Sequence, residues 1–230
     1  MSISSIDVRH RMSDMADSII YAKKVVGEPK NLLLVGGDKD QPFYKSIIRA
    51  AKASCVVGVE WTQELDDMAY SSYDGILFDT GSPIPGYDLS RIKPAQDIDC
   101  LTTTSKFESS CVAAACYCLL NQLELLSGKH VVIIGRSNAA KGLAKMCIRE
   151  NATVTVVHTK TPATVIEMLT NHNYMADAVV NTAPNIEGSR LPAHKLVIDV
   201  ANSYNSAYFG EAPVFTGIGP LTAALVIGRL

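Results

Sequence analysis

The stretch Gly128-Lys129-His130-Val131-Val132-Ile133-Ile134-Gly135-Arg136-Ser137-Asn138-Ala139-Ala140-Lys141-Gly142 decides the fold. Val131 to Ile134 is a short run that is apolar at every position, the pattern of a strand buried on both faces in a parallel sheet. Gly135 then heads a polar turn into a helical segment over 138–149. Such a strand-to-helix turn aims backbone N–H groups and the positive helix end at an anion such as a pyrophosphate. Downstream, Thr153–Val157 predicts a strand, Ala163–Thr170 a helix, and Ala178–Val180 and Leu196–Val200 two further strands. Strands alternating with helices imply right-handed crossovers and a parallel sheet. The span from Lys129 to Val200 therefore reads as a Rossmann-like dinucleotide-binding unit.

The three-glycine form of the turn is incomplete: Ser137 stands where a second glycine is usual, and Lys141-Gly142 blurs the third. Strand–Gly–helix turns without nucleotide also occur, so the turn alone leaves a purely structural role open. The second strand adds information. A NAD site places Asp or Glu at its end to bind the ribose 2′-hydroxyl. Here that end reads Val157-His158-Thr159-Lys160-Thr161, with no carboxylate to repel a 2′-phosphate. NADP is the expected cofactor, with NAD still admitted. The candidate cofactor residues are Gly135, Arg136, Ser137, Asn138, His158, Thr159, Lys160, Thr182 and Ala183; the bland alternative makes His158 and Lys160 solvated loop residues.

Working toward the N-terminus, Ser109–Leu126 predicts a long apolar helix, a spine between two lobes. Residues 5–26 carry Ile6, Met12, Met15, Ile19, Ile20 and Ala22 at helical spacing before Gly27 and Pro29. Asn31–Val35, Val56–Val59 and Gly75–Phe78 read as strands, Phe43–Ser54 as a helix, and Gly81, Pro83, Pro85 and Gly86 as a loop. Pro220 opens a final helix, where its missing N–H costs nothing. The expected architecture is α/β throughout: two α/β lobes with a cleft between them, a first lobe over 1–108, a spine over 109–127, and a Rossmann-like lobe over 128–230 whose last helix returns toward the first.

Composition bounds the function. With 230 residues and 47% hydrophobic content the chain can bury a sizeable core, and a net charge of −2 without a basic stripe gives no case for nucleic acid. No apolar run is long enough to span a membrane, and the N-terminal residues lack a signal-peptide core. The six cysteines have no zinc-site spacing; reduced thiols in a cytoplasmic protein, with no metal, are expected.

GKHVVIIGRSNAAKG (128–142) followed by ENATVTVVHTKT (150–161) resembles the bifunctional methylenetetrahydrofolate dehydrogenase/cyclohydrolase (FolD) family. The likeness continues through ADAVVNTA (176–183), VIDV (197–200) and GIGPLTAAL (217–225), and reaches back to GILF (75–78) and IKPAQDIDC (92–100). The resemblance implies oxidation of 5,10-methylene-tetrahydrofolate by hydride transfer to NADP, then hydrolysis of the methenyl product, in a homodimeric one-carbon enzyme. It places Tyr44 against the folate rings, Asp99 on the pterin edge, and Gly219, Pro220 and Thr222 in the segment closing over the pterin. A carboxylate suits that edge on chemical grounds too, since it can accept two hydrogen bonds from an amino-pyrimidinone.

The departures lie mainly in the first lobe. The family's lysine, one helical turn after the tyrosine, is replaced by Ile48. Lys52 lies a further turn on, and Asp79 takes the place of the glutamine that supports the lysine. Lys106-Phe107-Glu108-Ser109-Ser110-Cys111 and Phe215-Thr216-Gly217 replace two other conserved segments, and the chain lacks a helix between Trp61 and Gly75. Tyr44, Lys52 and Asp79 are the catalytic candidates. Hydrolysis needs a general acid/base, whereas hydride transfer rests on positioning and cofactor, so the expected outcome is a dehydrogenase with weak or absent cyclohydrolase. A FolD-like dehydrogenase for another substrate and a non-catalytic nucleotide-binding relative remain as alternatives.

Overall fold

A computed structural model describes residues 4–55, 57–79, 88–170, 176–183, 193–201, 212 and 214–230. The chain divides into two compact units, Ser13–Cys111 with Gly219–Leu230, and Met1–Met12 with Val112–Ile218.

The unit built from Ser13–Cys111 holds a three-stranded parallel sheet in the order β2-β1-β3: β1 (Lys30–Val35), β2 (Val57–Thr62) and β3 (Gly75–Phe78). The expected strand over Val56–Val59 runs on to Thr62, while Val56 itself lies outside the described residues, as does the loop holding Gly81, Pro83, Pro85 and Gly86. Helix α2 (Pro42–Ser54) begins with a proline and ends on Cys55 in the left-handed region. It buries Tyr44, Ile47, Ala50, Ala51 and Ser54, an i, i+3, i+4 stripe. Where a longer helix was expected to be missing, one turn remains, α3 (Ala69–Ser72). The C-terminal helix α7 (Gly219–Gly228) adds Ala223, Val226 and Ile227 to the same core as Leu32, Leu34, Tyr44 and Ile47.

The other unit holds a five-stranded, fully parallel sheet in the order β5-β4-β6-β7-β8. Its strands are β4 (His130–Ile134), β5 (Thr153–Val157), β6 (Ala176–Asn181), β7 (Ala193–Asp199) and β8 (Val214–Phe215), with helices α5 (Asn138–Arg149) and α6 (Ala163–Thr170) between them. Only β8 was missed in sequence, because two residues are too few to show periodicity. The His130 N–H donates to the Asp177 carboxylate at 3.0 Å, and Lys195 Nζ lies 3.1 Å from the same group, pinning the start of β4 to β6 and β7.

Two helices differ from expectation. In α1 (Ser5–Val26) the buried stripe is Val8, Met12 and Ala16, whereas Ile6 is 65% exposed. The spine is shorter than 109–126, running only Cys111–Gln122 as α4. Its C-terminal end is a Schellman turn: Glu124 has φ 56°, its N–H reaches Asn121 O at 3.0 Å, and the Leu125 N–H reaches Leu120 O at 2.8 Å. Its start is fixed by the Asp99 carboxylate, which accepts the Cys111 N–H at 2.7 Å.

Candidate active site

In the five-stranded sheet the chain moves from β4 to β5 on one side and then crosses to β6 on the other. The crevice outside the carboxyl ends of β4 and β6 is thus a topological switch point, the place where open α/β sheets bind ligands. The loops flanking it are Gly135–Ser137 and Thr182–Ala183. Gly135 has φ +127°, and a Cβ there would meet the Thr182 hydroxyl and, at 3.5 Å, the Ala183 side chain. Thr182 is held close because its N–H and its hydroxyl both donate to Ile134 O, at 2.8 and 2.9 Å.

Ser137 is the N-cap of α5, accepting the Ala140 N–H at 3.3 Å. The earlier N–H groups of that turn have no intrahelical partner and face where an anion would sit. Arg136, Ser137 and Asn138 are exposed beside them. The next carboxyl end, after β5, is a tight turn. The His158 N–H donates to Thr161 Oγ1 at 2.8 Å, and the Lys160 N–H donates to His158 Nδ1 at 3.1 Å. Accepting through Nδ1 leaves Nε2 as the proton-bearing nitrogen of the neutral ring. Ile134 and Val157 are register partners, so this turn lies at the strand end next to the Gly135 loop. Thr159 and Lys160 are exposed there. A glycine cradle, a helix N-terminus, and a cationic strand end without a carboxylate fit a dinucleotide with a 2′-phosphate.

Sequence reasoning missed a buried pair on the far side of the switch point. Asn181 Nδ2 donates to Asp199 Oδ1 at 2.9 Å, and Asn181 Oδ1 accepts the Ala183 N–H at 3.2 Å. This pair sets the Thr182–Ala183 loop. Its signal was available as a polar residue ending each of two apolar strands.

In the other unit, Tyr44 and Asp79 converge and Lys52 does not. The Tyr44 hydroxyl and the Asp79 N–H both donate to Val35 O at 3.0 Å. Asp79 Oδ2 accepts from Gln41 Nε2 at 3.3 Å, across Gly37, whose φ is +60°. Tyr44 is fully buried in the core, enclosed by β1, α2 and their neighbours. Lys52 lies apart from this pair. It is exposed, and eight residues along a helix place it about 12 Å along the axis from Tyr44. Ile48 packs half-buried against the core, and Lys45 pairs with Asp40 at 3.4 Å.

Asp99 is half-buried, and its carboxyl is pushed up to about 6. Burial is the chief cause, opposed by the Cys111 N–H bond and the Arg229 charge. Asp97, two residues earlier, closes its own loop by accepting the Leu101 and Thr102 N–H groups at 2.9 and 2.7 Å. Of the closing segment, Thr222 is buried, Pro220 is exposed, and Gly219 has open space around it.

Comparison with known proteins bears on both units. Residues 110–210 match the family described as tetrahydrofolate dehydrogenase/cyclohydrolase, NAD(P)-binding domain. The chain is 27% identical over 240 aligned positions to the bifunctional protein FolD of Caldanaerobacter subterraneus, covering 85% of this chain and 83% of that protein. Its fold superposes on the Trypanosoma brucei methylenetetrahydrofolate dehydrogenase-cyclohydrolase, solved with NADP cofactor and inhibitor, with TM-score 0.69 and 22% identity over 100% of this chain and 95% of that one. The Thermoplasma acidophilum bifunctional enzyme gives TM-score 0.70 at 18% identity, over 94% of each chain.

Proposed function

We propose that the chain is a divergent member of the methylenetetrahydrofolate dehydrogenase/cyclohydrolase (FolD) family and works as an NADP-dependent 5,10-methylenetetrahydrofolate dehydrogenase with little cyclohydrolase activity. The observation that carries this reading is the switch-point turn: Gly135 against Thr182, the Ser137-capped start of α5, and a neighbouring strand end with Lys160 in place of a carboxylate. Bound NADP supplies the hydride acceptor. The Gly135–Asn138 backbone would hold the pyrophosphate, and Arg136, Thr159 and Lys160 would surround the 2′-phosphate, the two cations offsetting its charge and the Thr159 hydroxyl donating a hydrogen bond. Thr182 and Ala183 form the other lip. Asp99 accepts hydrogen bonds from the amino-pyrimidinone edge of the substrate, and Gly219, Pro220 and Thr222 form the closing segment over it.

Weak hydrolysis follows from the α2 face. Activating water commonly contributes on the order of 100- to 10,000-fold through a positioned acid or base. Ile48 provides neither, Lys45 is paired, and Lys52 lies a turn further on. Asp79 with Gln41 is the polar pair left at the end of β1. One observation favours a second reading, the same hydride chemistry on a different substrate: the enclosed Tyr44 ring offers no stacking surface to a pterin.

The reading extends to a cytoplasmic homodimer. Its support is the six free thiols, which suit a reducing compartment, and the edge strand β5 with Val156 40% exposed. No helix among the described residues is long and apolar enough to cross a membrane.

The test is NADP reduction with methylenetetrahydrofolate, followed alongside methenyl hydrolysis. Turnover should require the folate, and hydrolysis should stay near the buffer rate. Arg136→Ala should weaken NADP about tenfold or more, the usual worth of a charge-assisted bond, while leaving NAD nearly unchanged. Tight NADP binding without folate-dependent turnover selects the second reading.

A further inference from the structure

The last helix ends in a residue that the cofactor and substrate assignments leave unused. Arg229, whose N–H closes the final turn on Leu225 O at 3.1 Å, reaches into the loop that carries Asp99. Its Nη1 donates to Ile98 O at 2.7 Å and to Ser109 O at 2.8 Å. Its guanidinium carbon lies 4.6 Å from the centroid of the Phe107 ring, which Lys106 Nζ also approaches at 4.9 Å. One side chain thus ties together the residue before Asp99 and the residue two before Cys111, whose N–H the Asp99 carboxylate accepts. A planar fork with fixed donors can hold two carbonyls at once, which an ammonium on a flexible stem does poorly.

We infer that Arg229 is the positioning residue that holds Asp99 in place, as a charged acceptor, for the amino-pyrimidinone edge of the substrate. This deepens the dehydrogenase reading and rests on it for the identity of the ligand. The groups acting on Asp99 come from three elements. Cys111, at the start of α4, gives an N–H and a thiol that burial pushes well up. Asp97, in the same loop, is a like charge turned onto its own N–H donors. Arg229, following α7, supplies the opposing positive charge. Burial alone drives Asp99 toward its neutral form, in which it loses an acceptor position for the substrate. Arg229 offsets that drive without touching the substrate.

The experiment is a carbon-13 titration of the Asp99 carboxyl in the free protein, for wild type, Arg229→Gln and Arg229→Lys. Arg229→Gln should move the Asp99 midpoint up by about one pH unit, since a nearby opposite charge favours the ionised form by that order. Arg229→Lys keeps the charge and should titrate close to wild type. In turnover at pH 6.5, Arg229→Gln should raise KM for methylenetetrahydrofolate several-fold more than it lowers kcat, with NADP affinity unchanged. An unmoved Asp99 midpoint in Arg229→Gln overturns the inference. So does a midpoint that Arg229→Lys moves up by about one pH unit; if Arg229→Gln does not fold, Arg229→Met, which also removes the charge, takes its place in the same comparison. An Asp99 midpoint that shifts with Arg229→Gln as expected, in a protein that turns over no methylenetetrahydrofolate, supports the Arg229–Asp99 assignment and overturns the substrate reading.

Discussion

Val35 O accepts from both the Tyr44 hydroxyl and the Asp79 N–H, so one carbonyl at the end of β1 fixes a core aromatic and a polar group together. Gly135 has a comparable role at the end of β4, by having no side chain. Its φ of +127° is one that L-residues rarely adopt, and Thr182 occupies the space a Cβ would need. Gly135→Ala should therefore destabilise by about 2–4 kcal/mol, combining backbone strain with loss of the Thr182 hydroxyl bond to Ile134 O. Urea denaturation should show the loss, and NADP affinity should fall with it. A variant as stable as wild type would mean that the turn relaxes freely, and the cradle would lose its meaning.

Helix α4 starts at Cys111 because Asp99 accepts that N–H, and the cap comes with a cost. A carboxyl raised from 3.8 to about 6 binds its proton more tightly in the folded state. Its stabilising contribution is complete below the unfolded value and is lost as pH rises through about 6. Asp99→Asn keeps an oxygen acceptor for Cys111 and carries no charge. It should raise stability at pH 8 by about 1–3 kcal/mol and add little at pH 4. Urea midpoints at the two pH values give the comparison. An equal gain at both would rule out burial of the charge as the cause. A group that lowers stability in this way is characteristic of a site shaped for binding.

At the scale of the whole molecule, the unit holding β1–β3 is discontinuous, completed by Gly219–Leu230. Ala223, Val226 and Ile227 fill its core against Leu32, Leu34 and Ile47. A chain ending at Ile218 should fail to fold that unit, because several fully buried side chains are lost together, each worth on the order of 1.5–3 kcal/mol. The single tryptophan, Trp61, bonds Gly36 O at 3.0 Å inside this unit and reports on it directly. Its emission should shift to that of the unfolded chain. A native Trp61 spectrum from the shortened protein would show that α7 is dispensable.

Sequence by itself determined the repeating parts. Val131–Ile134, Thr153–Val157 and the helices over 138–149 and 163–170 were legible because strand and helix periods differ and Gly135 punctuates them. The missing carboxylate after β5 and the Ile48 replacement were legible for the same reason, since both are matters of residue type at a fixed spacing. Contacts between distant positions carry no local signal. Tyr44 at 0% exposure, the Asn181–Asp199 pair and Arg229 on Ile98 O emerged only when tertiary packing brought far-apart residues together. Periodicity tells which face of an element is apolar; only packing decides what that face meets, and so whether a side chain ends in the core or at the site.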